Sequence, residues 1–173
     1  MKLIATGKEY VDQIAVEREN YERLINRINT SQITIRGAVG RWSVKETIAY
    51  IQVCELYLAD RINHVFSIQD LDKHLTDRQL AGVFFDYDHP EYGTPFRSNP
   101  NSVNWEIQKY NSIPLEDLVG LENLAYLSFI ALLQLEEERL LTRVRFYKGF
   151  LVNILGLYSH HSITIEHWLA VHQ

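Results

Sequence analysis

The chain has 173 residues, 46% of them hydrophobic and 23% charged, with a net charge of −5 and a single cysteine. That length supports one domain with its own core, and that balance is the composition of an ordinary soluble globular protein. The acidic excess argues against a nucleic-acid surface, and the lone Cys54 excludes an internal disulfide, which agrees with a reducing, cytoplasmic setting.

The N-terminus, Met1 to Lys8, has too short an apolar run for a signal peptide. Apolar periodicity then predicts a first helix from Gly7 to Asn29. Its inward positions are Val11, Ile14, Tyr21, Leu24, Ile25 and Ile28, with Glu17, Arg18, Glu19 and Glu22 largely outside. The segment Gln32–Arg36 alternates like a strand but stands alone, and reads as an extended link. A second helix runs from Ser43 to Phe66. Ser43 and Glu46 have capping-box spacing at its start. Its stripe is Val44, Ile48, Ile51, Leu58, Ile62 and Val65, and Glu55 falls on that stripe where a Leu is expected. A carboxylate facing a helical interior is costly to bury unpaired, so Glu55 calls for a partner or a wet pocket.

Between Ser67 and Ile113 lies a region too long for a simple connection. It contains one short helical pattern, Asp70–Leu80, an aromatic turn-rich stretch, Phe84–Phe96, and a weak helix, Ser102–Tyr110. The stretch is either a lid or pocket wall, or a packed crossover. A third helix starts near Pro114, a residue suited to a first helical turn. It continues through Leu118, Leu121, Ala125, Phe129, Leu132 and Leu133 toward Glu138. A fourth spans Lys148 to Ala170, with Leu151, Ile154, Tyr158, His161, Ile165 and Trp168 on one stripe. The basic run Arg139, Arg143, Arg145 and Lys148 is interrupted by apolar residues and follows Glu136–Glu138, so it reads as a solvated helix end. The longest apolar segments are broken by Ser, Gln or Asn, and no membrane segment is expected. The fold class is all-α: one domain, residues 1–173, as an up-down four-helix bundle with a long crossover between helices 2 and 3.

The Trp42-Ser43-Val44-Lys45-Glu46 opening of the second helix resembles the DinB-like (DinB/YfiT) superfamily of bacterial four-helix bundles. So do the Lys109-Tyr110 to Pro114-Leu115-Glu116-Asp117-Leu118 start of the third and the His160-His161 pair in the fourth. The resemblance implies a divalent metal, zinc or nickel, held by three histidines, and activities such as thiol-dependent transfer or YfiT-like metal-dependent hydrolysis. Carried over residue by residue, the three ligand positions fall on Tyr50, Leu157 and His161. A phenol is a poor zinc ligand near neutral pH and leucine cannot ligate. The metal site therefore reads as degenerate, with His161 the sole matched ligand position.

Tyr50, Glu55 and His161 are the candidate ligand-pocket residues. Tyr50 and His161 would exchange hydrogen bonds with a small molecule, and Glu55 would orient His161 or act as base. The plainer reading of His161 is a core histidine paired with a carboxylate, with Glu55 as the candidate partner. A rebuilt metal site would use Glu55, His161 and one further donor, with Cys54, Asp86, Asp88 and His89 as the nearby donors in the sequence. Cys54 itself reads as a small buried hydrophobe. Three functions stay open: a small-molecule binder with a degenerate metal site, a metal-dependent thiol transferase or hydrolase with a non-standard ligand set, and a structural module pairing as a homodimer.

Overall fold

The computed structural model describes residues 7–67, 76, 107–135 and 144–172. Four long helices carry the architecture: α1 (Gly7–Ile25), α2 (Val44–Ser67), α3 (Leu115–Leu135) and α4 (Val144–Val171). A short helical stretch covers 107–111, within the weak pattern expected over Ser102–Tyr110. Among the described residues there is no strand, only an isolated bridge between Val39 and Trp42. The class is all-α, as expected. Apart from Thr76, the Asp70–Leu80 pattern lies outside the described residues, as do the aromatic stretch with Asp86, Asp88 and His89, and Glu136–Glu138.

α1 buries Ile14, Tyr21 and Leu24. It also buries Arg18, which was expected on the outer face. The reason is positional: Ile14, Arg18 and Tyr21 are four and three residues apart, and so share a face. α1 ends four residues before the expected Asn29, because the chain tightens into three-residue turns, with Arg27 N–H bonding Leu24 O and Ile28 N–H bonding Ile25 O. The Gln32–Arg36 link is not extended. Gln32 N–H bonds Asn29 O and Ile35 N–H bonds Gln32 O, turns that leave Ile33 buried. Gly37 and Gly40, at φ of 103° and 61°, then steer the chain into α2 through a conformation that side chains disfavour.

Ser43 caps α2 reciprocally with Glu46. Ser43 Oγ accepts from Glu46 N–H at 3.1 Å, and Glu46 Oε2 accepts from Ser43 N–H at 2.7 Å. The stripe Val44, Ile48, Ile51, Glu55, Leu58 and Ile62 is buried throughout. α3 buries Leu118, Glu122, Ala125, Phe129 and Leu133. Leu121, expected inside, is exposed. α4 buries Ile154, Tyr158, His161, Ile165 and Trp168 of its predicted stripe, and the side chain of Leu151 lies outside the description.

α2 packs mainly along α3, and α1 mainly along α4. Lys45 Nζ donates to Asn111 O at 2.8 Å, tying the start of α2 to the start of α3. Farther along both helices, Glu55 and Glu122 share Arg18, so α2 and α3 run in the same sense. α4 runs against α2, since Tyr158 meets Glu55 and His161 meets Tyr50.

α3 differs from expectation in one further respect. It is long and apolar enough to cross a membrane by length and composition, at a mean hydropathy of 1.6, with 28% of that window buried. Isolated Asn, Ser and Gln residues do not interrupt such a helix. Ser128 Oγ, for instance, donates to Leu124 O at 2.8 Å and so satisfies itself within the helix.

Candidate functional site

All four helices send a polar side chain into one buried cluster. Arg18 of α1 is its centre, only 3% exposed. Its Nη1 donates to Glu55 Oε1 of α2 at 3.3 Å and also to Glu122 Oε1 of α3. Nη2 donates to Glu122 Oε2 at 2.6 Å and to Asn123 Oδ1 at 2.7 Å. Nε donates to Glu22 Oε1 at 2.7 Å. A guanidinium has five N–H donors, and all five are engaged. Tyr158 of α4 closes the cluster, its hydroxyl donating to Glu55 Oε1 at 2.6 Å. The rings of Tyr126, Tyr21 and Tyr158 surround the guanidinium at 4.7, 5.8 and 5.8 Å from their centroids, within cation–π range.

The electrostatics follow from burial. Desolvation drives the Glu55 carboxyl well above its ordinary range, and the charge of Glu122 pushes it the same way. Arg18 and the Tyr158 hydroxyl pull it back only in part. Glu122 is raised by burial too, against the pull of its Arg18 hydrogen bonds. Burial alone would lower the pKa of Arg18, but Glu122 and Glu55 more than offset it and keep the guanidinium charged. A neutral core is reached when Arg18 pairs with an ionised Glu122 and Glu55 holds a proton. Two buried atoms in this cluster have no hydrogen-bond partner: Glu55 Oε2 and the Tyr21 hydroxyl.

Beside the cluster lies a cavity of about 140 Å³ between α1, α2 and α3. Arg18, Tyr21, Glu22, Glu122 and Asn123 contribute to its walls.

The three expected pocket residues do not meet at one point. Glu55 belongs to the Arg18 cluster. Tyr50 and His161 lie together elsewhere, their ring centroids 5.5 Å apart, with the Trp42 ring tilted at 41° to Tyr50 and 5.0 Å from it. His161 is not paired with Glu55, contrary to the expected pairing. Its Nδ1 bonds Leu157 O at 2.5 Å, which places the ring proton on Nδ1 and the lone pair on Nε2. Burial lowers its pKa against the opposing pull of the Leu157 carbonyl, and neighbouring His160 adds to the lowering, which favours the neutral imidazole. The Tyr50 hydroxyl has its pKa raised by the neighbouring Cys54 and by burial. Cys54 is fully buried, and burial raises its pKa, which keeps it an unreactive thiol.

Among the described residues, no group of three or more His, Cys, Asp or Glu side chains is disposed to hold a metal ion.

Sequence reasoning singled out Glu55 but missed Arg18 and Glu122, its neighbours in space. The signal was the same one. Glu122 stands four after Leu118 and three before Ala125, on the inward stripe of α3. One basic and two acidic residues on three inward stripes form a complementary set. The flanking Glu17, Glu19 and Glu22 disguised Arg18 as part of a solvated face.

No protein-family model, curated protein or solved structure matches this chain.

Proposed function

We propose that the protein is a DinB-like bundle with a degenerate metal position that binds a small molecule beside the Arg18 cluster. In this reading the helices run up, down, down, up, and the long crossover is what allows α2 and α3 to run in the same sense. The contact between Tyr50 and His161, with Leu157 O on the His161 ring, supports the carry-over, because all three mapped ligand positions then share one locality. The chemistry left there is a phenol, an aliphatic chain and one neutral imidazole. The metal-dependent transferase or hydrolase alternative would need a donor set that the described residues do not assemble.

The observation carrying the binding role is the 140 Å³ cavity itself, walled by Arg18, Glu22, Glu122 and Asn123 on one part and by Ile25, Ile48 and Val119 on another. A concave space with an apolar wall and a few converging polar groups is a place for a small ligand. The test is an NMR screen with anionic, neutral and cationic fragments of about six heavy atoms or fewer. Saturable shifts at Tyr21 and Asn123, abolished by filling the cavity with Val119→Trp, are expected. If no fragment of any charge binds there, or if Val119→Trp changes nothing, the reading fails. Zinc and nickel in the purified protein are expected far below one equivalent. Stoichiometric metal lost in His161→Ala would overturn the degenerate site.

One observation favours a second role as a self-pairing module. Leu121, Leu124, Leu127 and Leu135 of α3 are 38 to 77% exposed, with the exposed Ser128 and Ala131 between them. Contiguous exposed apolar surface marks an interaction face. A seam of leucines and small residues at helical spacing suits a second copy of the same helix.

A further inference from the structure

The four helices fall into two pairs, α1 with α4 and α2 with α3, and each pair packs closely within itself while meeting the other more sparsely. The Arg18 cluster bridges the two pairs. Arg18 of α1 donates to Glu55 of α2 and to Glu122 and Asn123 of α3, and Tyr158 of α4 donates to Glu55. The two buried acids are held unequally. Glu122 takes a guanidinium N–H on each of its oxygens, the fork geometry that suits an ionised carboxylate. Glu55 receives both of its donors on Oε1, the guanidinium at 3.3 Å, and its Oε2 is buried with no partner. An ionised oxygen left bare in a core costs more than a hydroxyl left bare. The hydrogen-bond pattern therefore puts the negative charge on Glu122 and a proton on Glu55 Oε2.

The geometry points to a proton-operated clasp: the two helix pairs are held together while Glu55 is neutral, and part along their seam when it ionises. With Glu55 protonated, the buried charges of Arg18 and Glu122 cancel. Loss of that proton sets two carboxylates against one guanidinium in the interior, with Glu22, whose side chain is 45% exposed, adding a third at the rim. A buried charge without a full partner is strongly unfavourable, and hydration relieves it. Water reaches the fully buried Glu55 when the helix pairs separate. Among the described residues, the titratable groups acting on Glu55 are Arg18, Tyr21 and Glu22 of α1, Cys54 of its own helix, Glu122 and Tyr126 of α3, and Tyr158 of α4. Arg18 is the one cation in that set, so the clasp loosens as pH rises and tightens as it falls. Arg18 and Glu122 also wall the cavity between α1, α2 and α3, so the same proton governs how far that cavity opens, whether or not it takes a ligand.

Cys54 is the reporter. It is fully buried, beside Glu55 and one turn after Tyr50, whose ring meets His161 of α4, so it lies at the seam between the pairs. The full chain is labelled with dithiodipyridine from pH 5.5 to 8.5, with each rate normalised to that of a short cysteine peptide at the same pH. Global unfolding is measured separately by circular dichroism in urea. Normalised labelling is expected to be faster than global unfolding. It should rise by about tenfold per pH unit, the dependence that linkage gives for one proton, and level off where Glu55 ionises in the closed state. Glu55→Gln, an uncharged isostere, should hold the rate near the parent's low-pH value throughout. Glu122→Gln leaves an ionised Glu55 as the sole buried partner of Arg18 and should also abolish the slope, which keeps the test decisive if Glu55→Gln does not fold. A cluster with a merely structural role would instead raise labelling in both variants at every pH and leave the slope as it was. A slope that survives in either variant, a parent rate that does not vary with pH, or labelling no faster than global unfolding would each overturn the clasp.

Discussion

Arg18→Met removes the one positive charge from the buried cluster while keeping a chain of similar length. Glu22 has a side chain 45% exposed and Asn123 is exposed, so both can rehydrate at little cost. Glu55 keeps its bond from Tyr158 and can hold a proton. The loss concentrates on Glu122, which is 2% exposed and gives up both of its guanidinium hydrogen bonds. Breaking a buried pair from one side costs about 3–5 kcal/mol. That is a large share of the roughly 5–15 kcal/mol a domain has in total. With a urea dependence of about 2 kcal/mol per molar, the unfolding midpoint followed by circular dichroism should fall by about 2 M. The double variant Arg18→Met/Glu122→Met removes the stranded carboxylate as well and should recover more than half of the loss, because an apolar replacement of a whole buried pair is often neutral or better. A single-variant loss below about 1 kcal/mol, or a double variant no better than the single, would refute the view that the cluster is a desolvated ion pair.

Two further outcomes follow from the same structure. The folded-state pKa of Glu55 lies above its ordinary value of 4.5, so the native state binds this proton more tightly than the unfolded chain does. Its stabilising contribution is complete below 4.5 and is lost as pH rises through the folded-state value. Urea midpoints should therefore increase as pH is lowered from 8 toward 5, and Glu55→Gln should flatten that slope; a slope unchanged in the variant would place the titration elsewhere. If α3 pairs with a second copy, light scattering should give twice the chain mass, and Leu124→Glu should return it to a monomer with its helical circular dichroism intact. A monomeric parent protein would remove the self-pairing reading.

The sequence alone determined the local structure. The Ser43–Glu46 cap and the stripe from Val44 to Ile62 were legible because capping and helical periodicity are set by residues within a few positions of each other. Glu55 could be marked as an oddity for the same reason: a carboxylate on an apolar stripe stands out with no knowledge of what faces it. What faces it was decided only in three dimensions. Arg18 is 37 residues from Glu55 and 104 from Glu122, and nothing local distinguishes an arginine that turns inward from one solvated among glutamates. His161 shows the converse. Both it and Glu55 lie on inward stripes, but α2 and α4 meet at an offset that brings Tyr158, one turn earlier, to the acid and leaves the imidazole against Tyr50. Periodicity determines which side of a helix is buried, whereas the axial register between two helices depends on how their side chains interlock, and that is a property of the packed structure.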